Sequence, residues 1–98
     1  MFLRIGTYKR TNLDDPIKPP PTSQLALCQN NYAREGKLIH HIEQQPDDYT
    51  YIITYIWRSK EDWQNFMNEP LVQEARANFK NFLESYPGNS FSDTYEEI

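Results

Sequence analysis

The sequence predicts an α+β fold in which one four-stranded antiparallel sheet carries helices on one of its faces. Three observations carry that reading. Tyr49–Arg58 is a run of β-branched and aromatic residues without Gly or Pro, the strongest strand signal in the chain. Shorter alternating runs stand at Phe2–Thr11, Lys37–Gln44 and Ser90–Glu97. Between them lie two stretches whose apolar residues recur at helical spacing.

In the first run Leu3, Ile5 and Thr7 alternate against Phe2, Arg4, Gly6 and Tyr8. Gly6 weakens a strand, and its place there suggests close approach of another group. Residues 12–21 form a loop with four prolines within six residues, which excludes helix and favours an extended, semi-rigid path. It reads either as a solvated spacer, or as a flap over a pocket mouth or a contact arm on a partner subunit. Thr22 or Ser23 then caps a helix that runs to about Glu35, with Leu25, Cys28, Gln29 and Tyr32 on one face and Gly36 at the C′ position. Cys28 on that face reads as a small core residue.

Lys37–Gln44 and the central run form a hairpin through the turn Gln45–Asp48. That turn places Leu38, His40 and Ile42 opposite Tyr55, Ile53 and Tyr51. Ile39, His41 and Glu43 then share the other face with Ile52 and Thr54, so the two histidines point to opposite sides. After the central strand, Ser59 with Asp62 three residues on starts a short helix over Lys60–Met67. Asn68 is expected to cap a second, longer helix, with Pro70 in its first turn and Leu71, Val72, Ala75, Phe79, Phe82, Leu83 and Tyr86 on its apolar face. Pro87–Gly88 stops it, and the acidic last strand suits a sheet edge.

The order strand, helix, strand, strand, helix, strand is the split βαβ or ferredoxin-like arrangement, here one domain over residues 1–98. The central strand is apolar on both faces, yet helices cover only one. The bare face predicts a homodimer packed sheet against sheet. Seven Tyr, five Phe and two Trp are enough to fill a small core and also line a pocket. Net charge is −4 and no Lys/Arg stripe stands out, which argues against nucleic acid. Apolar runs are too short to span a membrane, and a lone cysteine fits a cytoplasmic protein. No metal-ligand spacing and no GxGxxG, GxxxxGK[ST] or GxSxG motif is present, so neither a metal nor another cofactor is expected.

The segment from Tyr55 to Met67, with Trp57, Arg58, Ser59 and Trp63, followed by Pro70 and the longer helix, resembles the antibiotic biosynthesis monooxygenase superfamily. The resemblance implies a dimeric α/β barrel with this element order. It covers nearly the whole chain as an order of elements, and about fifteen residues as a motif. Haem degradation in that superfamily relies on an Asn in the first strand and a Trp and a His in the second helical region. Tyr8, Phe66 and Arg76 stand at those places, so that activity is not implied. The cofactor-independent branch, which oxidises phenols and quinols, remains. Its chemistry needs a dry aromatic pocket, a base and donors for a phenolate. His40 or His41 is the candidate base, because imidazole titrates in the right range. Tyr8, Asn12, Tyr32, Tyr51, Tyr55, Trp57 and Trp63 are the candidate substrate contacts, around a small apolar or aromatic molecule. The same residues have simpler readings. The tryptophans would pin strand to helix, the tyrosines would pack or meet a partner subunit, and Arg4 and Arg58 would be surface or interface charges. A non-catalytic binding dimer and a cofactor-free cyclase or isomerase are therefore the alternatives.

Overall fold

The computed structural model describes residues 1–98. Its elements are β1 (Phe2–Lys9), α1 (Ser23–Arg34), β2 (Leu38–Asp47), β3 (Thr50–Trp57), α2 (Lys60–Met67), α3 (Pro70–Ser85) and β4 (Ser90–Glu97). The strands form one sheet in the order β2-β3-β1-β4, with every neighbouring pair antiparallel. This is the expected ferredoxin-like layout. The sheet is open, with β2 and β4 as its edges, so one chain alone does not close a barrel.

Strand register decides what the helices meet. Phe2, Arg4, Gly6 and Tyr8 of β1 stand level with Trp57, Tyr55, Ile53 and Tyr51 of β3, and with Glu97, Tyr95, Asp93 and Phe91 of β4. This is the face under the helices. Phe2, Ile53, Tyr55 and Trp57 pack there with Cys28 and Tyr32 of α1, Phe66 of α2 and Val72 of α3 in one buried cluster. The opposite face carries Leu3, Ile5 and Thr7 beside Ile56, Thr54 and Ile52, and no helix lies over it. Gly6 is a place of close approach: a Cβ there would lie 2.9 Å from Phe91 Cε2. The approaching group is a neighbouring ring, which the missing side chain lets lie flat across the strand.

The helix ends follow local chemistry. Thr22 Oγ1 accepts from the Leu25 amide at 3.3 Å, and Ser59 Oγ accepts from the Asp62 amide at 3.1 Å. At the end of α1, the Gly36 amide reaches Ala33 O at 3.0 Å and the Lys37 amide reaches Tyr32 O at 2.9 Å, a Schellman closure that Gly36 permits at φ 77°.

Two expectations need correction. Asn68 is the C-cap of α2, and Glu69 is the N-cap residue of α3. The Glu69 side chain does not cap the helix, because its carboxylate accepts the Tyr32 hydroxyl at 2.9 Å. The hairpin register also differs. β2 runs on to Asp47, which pairs with Thr50, leaving Asp48 and Tyr49 as the turn. Asp47 Oδ1 tightens it by accepting the Tyr49 amide at 2.7 Å. Irregularities fall between Leu38 and His40 and between Gln44 and Asp47, the second around Pro46, which has no amide to give a ladder. Leu38 therefore faces Trp57, His40 faces Ile56, His41 faces Tyr55, Ile42 faces Thr54 and Glu43 faces Ile53. His41 and Glu43 lie on the helix side of the sheet, and His40 and Ile42 on the bare side.

Candidate functional site

A cavity of about 650 Å³ lies between the aromatic side of the sheet and the helices. That is the size class of small-molecule sites. One wall is a ring cluster from three elements. Tyr8 and Phe91 have centroids 4.6 Å apart, and Phe79 of α3 meets Phe91 edge-on at 4.8 Å. The facing wall is built from Trp57, Trp63, Phe66 and Met67, with Trp57 and Phe66 4.8 Å apart. The indole N–H groups of Trp57 and Trp63 are buried and have no hydrogen-bond acceptor within the protein.

Across this hydrocarbon runs one polar strip. Arg4 Nε donates to Asp93 Oδ1 at 3.1 Å and Nη2 to Oδ2 at 3.2 Å, and the Tyr95 hydroxyl donates to Oδ2 at 3.2 Å. The Arg4 guanidinium carbon sits 5.5 Å from the Tyr55 ring centre, and the Tyr55 hydroxyl accepts from Gln29 Nε2 at 3.3 Å. Burial pulls the Arg4 pKa down, but the charge and hydrogen bonds of Asp93 outweigh it and leave Arg4 above its ordinary value. Burial also pushes the Tyr8 and Tyr55 hydroxyls above the usual phenol range. Both stay protonated at neutral pH.

The mouth is formed by the proline-rich loop and α3. Pro19, Pro20 and Thr22 line it on one side, and Arg76 and Lys80 on the other. The loop is strapped down. Arg10 donates to Asp48 O at 2.7 Å and to Asp15 O at 2.9 Å, and Asn89 Nδ2 donates to Pro16 O at 2.7 Å. Lys18 Nζ lies 4.4 Å from the Tyr51 ring centre and donates to its hydroxyl at 3.0 Å. These bonds hold the prolines at the rim.

Of the residues singled out from sequence, Tyr8, Tyr55, Trp57 and Trp63 line the cavity together. Tyr51 anchors the strap through Lys18. Tyr32 belongs to the core beneath, with its hydroxyl on Glu69. Asn12 is in the loop, where Oδ1 accepts the Asp14 amide at 3.0 Å. His41 stacks on Tyr55 at 4.7 Å and lies outside the cavity lining, while His40 is exposed on the bare face. Arg4, read from sequence as a surface or interface charge, faces inward, and so does Asp93. Arg58 is at the surface, paired with Asp62. Strand parity held the clue to both inward charges. Arg4 alternates in step with Phe2 and Tyr8, and Asp93 in step with Phe91 and Tyr95.

The fold and cavity define a ferredoxin-like domain with an aromatic pocket under its helices. Solved structures of the antibiotic biosynthesis monooxygenase type share this fold. SnoaB, a cofactor-independent oxygenase from Streptomyces nogalater, superposes with a TM-score of 0.62 at 9% identity, over 99% of this chain and 91% of that one. A proposed antibiotic biosynthesis monooxygenase from Deinococcus radiodurans gives 0.59 at 13% identity, over 100% and 92% of the two chains. A dimeric ferredoxin-like protein from an uncultured marine organism gives 0.60 at 13%, over 99% and 93%. At these identities the shared property is the fold. No protein-family model and no curated protein matches the chain.

Proposed function

We propose that the protein is a homodimer, joined through the bare sheet face, whose cavity binds a small, largely apolar aromatic molecule and oxidises a phenol- or quinol-type substrate with O₂ and no cofactor. The observation that carries this is the pairing of two aromatic walls with a single half-buried cation, Arg4. The rings hold a planar substrate and keep water away, and Arg4 favours the deprotonated phenol by its charge. The phenolate passes one electron to O₂, and the resulting radical pair joins through a new C–O bond. The proton taken from the substrate returns to the peroxide, and loss of water from that hydroperoxide leaves a carbonyl at a ring carbon that had carried hydrogen. One oxygen atom stays in the product, and the other leaves as water with the two hydrogens.

Of the histidines, His41 is on the helix side of the sheet, one ring away from the cavity through Tyr55. It is the histidine proposed as acceptor of the substrate proton. A second reading, a binding dimer without catalysis, is favoured by one observation: the only carboxylate of the cavity wall, Asp93, is already held by Arg4 and Tyr95. Metal-stripped protein incubated with hydroquinones and anthrone-type phenols separates the two. Oxygen uptake above buffer is expected, lowered in His41→Ala. Quenching of tryptophan fluorescence without uptake would establish the binding-only reading. Turnover unchanged in both His40→Ala and His41→Ala would remove the histidines from the proton path.

A further inference from the structure

We infer that the cavity selects an aromatic monoanion whose anionic oxygen, a carboxylate or a phenolate, docks on the free edge of Arg4. The inference rests on the cavity being a ligand site that uses Arg4, as proposed above, and adds the edge of the guanidinium that holds the ligand and a carboxylate as a second form of its anionic oxygen.

A guanidinium has five N–H donors in a fixed fork. Asp93 takes one from Nε and one from Nη2, and no other protein group accepts from Arg4. Both hydrogens of Nη1 and one of Nη2 are left over on a side chain only 22% exposed. A half-buried cation with unused donors is matched best by an oxyanion, and the Nη1–Nη2 edge has the geometry to grip two oxygen lone pairs at once. Asp93 holds the other edge, so the fork is fixed in place before any ligand arrives.

The surrounding charge points the same way. The cavity lining carries Arg4, Arg76 and Lys80 against Asp93 alone, three cations less one carboxylate, or +2, within a chain of net charge −4. Arg76 and Lys80 stand one turn apart on α3, and neither pairs with a carboxylate of the protein. A positive mouth on an acidic protein draws anions in and turns cations away. The walls behind it are rings. The complementary ligand is therefore flat and aromatic at one end and singly anionic at the other. A phosphate group suits this pocket less well, because only one cation is buried with it.

Binding of three naphthalene probes to the full chain tests this, read by tryptophan quenching and calorimetry. 2-Naphthoate is expected to bind tighter than neutral 2-naphthalenemethanol by about tenfold or more, and 1-naphthylmethylammonium weakest. Equal affinity for the anion and the alcohol would overturn the inference while leaving the cavity reading intact. Failure of all three probes to bind would overturn both. 4-Nitrophenol, followed by its visible absorbance, separates the two sources of the anionic oxygen. A lowered apparent pKa on the protein supports a phenolate at Arg4, and an unmoved one restricts the ligand to carboxylates. Arg4→Gln alone strands Asp93 in the interior, so the test variant is Arg4→Gln with Asp93→Asn, which keeps the pair neutral. It should lose the preference for 2-naphthoate over 2-naphthalenemethanol; a retained preference would overturn the role of Arg4. The surface pair Arg76→Gln with Lys80→Gln should slow 2-naphthoate association and flatten its salt dependence.

Discussion

Asp62 shows how single side chains are stabilised here. It is only 5% exposed, yet it is a carboxylate at the start of a helix. Arg58, at the surface, lays its Nε 2.8 Å from Oδ2 and its Nη2 3.1 Å from Oδ1, and the positive end of α2 adds to this attraction. These Arg58 bonds outweigh the burial penalty, and with Ser59 and Lys37 they hold the carboxyl below the usual range. A depressed folded-state pKa contributes stability that is complete above the unfolded value, about 3.9. That contribution is lost as pH falls through the folded value. We therefore expect the stability gap between the parent and Asp62→Asn, measured by denaturant midpoints, to be widest near neutrality and to close in strong acid. A gap of constant size from pH 7 to pH 3 would show that Asp62 acts through packing alone. The Ser59 cap with Asp62 was legible in the sequence, because a cap is local, whereas Arg58 read only as a surface or interface charge. The inward turn of Arg4 was harder to read. A charge in a strand reads as solvent-facing unless its partner, here 89 residues away, is known.

Among the elements, ends marked by a cap or by a change of pattern were readable, and a strand register that depends on bulges was not. Helix α2 begins where Ser59 stands and ends at Met67, and β4 spans Ser90–Glu97, as their patterns indicate. The β2–β3 hairpin went the other way. Its register depends on an irregularity at Ile39 and another near Pro46, and a shift of one residue exchanges every side chain between faces. Asp47 and the missing amide of Pro46 decide the turn, and neither leaves a periodic trace. The α2 cap gives the element-scale prediction. Ser59→Ala removes the acceptor for the Asp62 amide and should cost about 1 kcal/mol in unfolding free energy. Because Trp63 and Phe66 ride on this helix into the cavity wall, the variant should also bind aromatic probes less tightly. A denaturant curve superimposable on the parent's would mean that another group satisfies that amide.

For the whole molecule, the decisive feature is a sheet with one covered face and one bare one. Its two-sided apolar character could be read directly from Tyr49–Arg58, but which side met the helices could not, since both are apolar. The structure assigns the aromatic side to the core. Leu3, Ile5, Ile42, Ile52 and Ile56 are left on the other, with Thr7 and Thr54 among them. Eight residues at about 3.3 Å and four strands at about 4.8 Å give a face of roughly 26 by 19 Å, about 500 Å² in plan. Side-chain relief raises the accessible area above that, towards the roughly 800 Å² per partner of a stable interface. Two such faces packed about 10 Å apart would bury these isoleucines and enclose His40. The edge strand β2, exposed along nearly all its length, would gain cover as well. Sedimentation at micromolar concentration should then report twice the 11.7 kDa chain mass. Ile5→Lys, at the centre of the bare face and away from the buried cluster, should leave the fold intact by circular dichroism and sediment as a monomer. A parent protein that sediments at 11.7 kDa would overturn the dimer. An Ile5→Lys protein that stays dimeric would move the interface off this face.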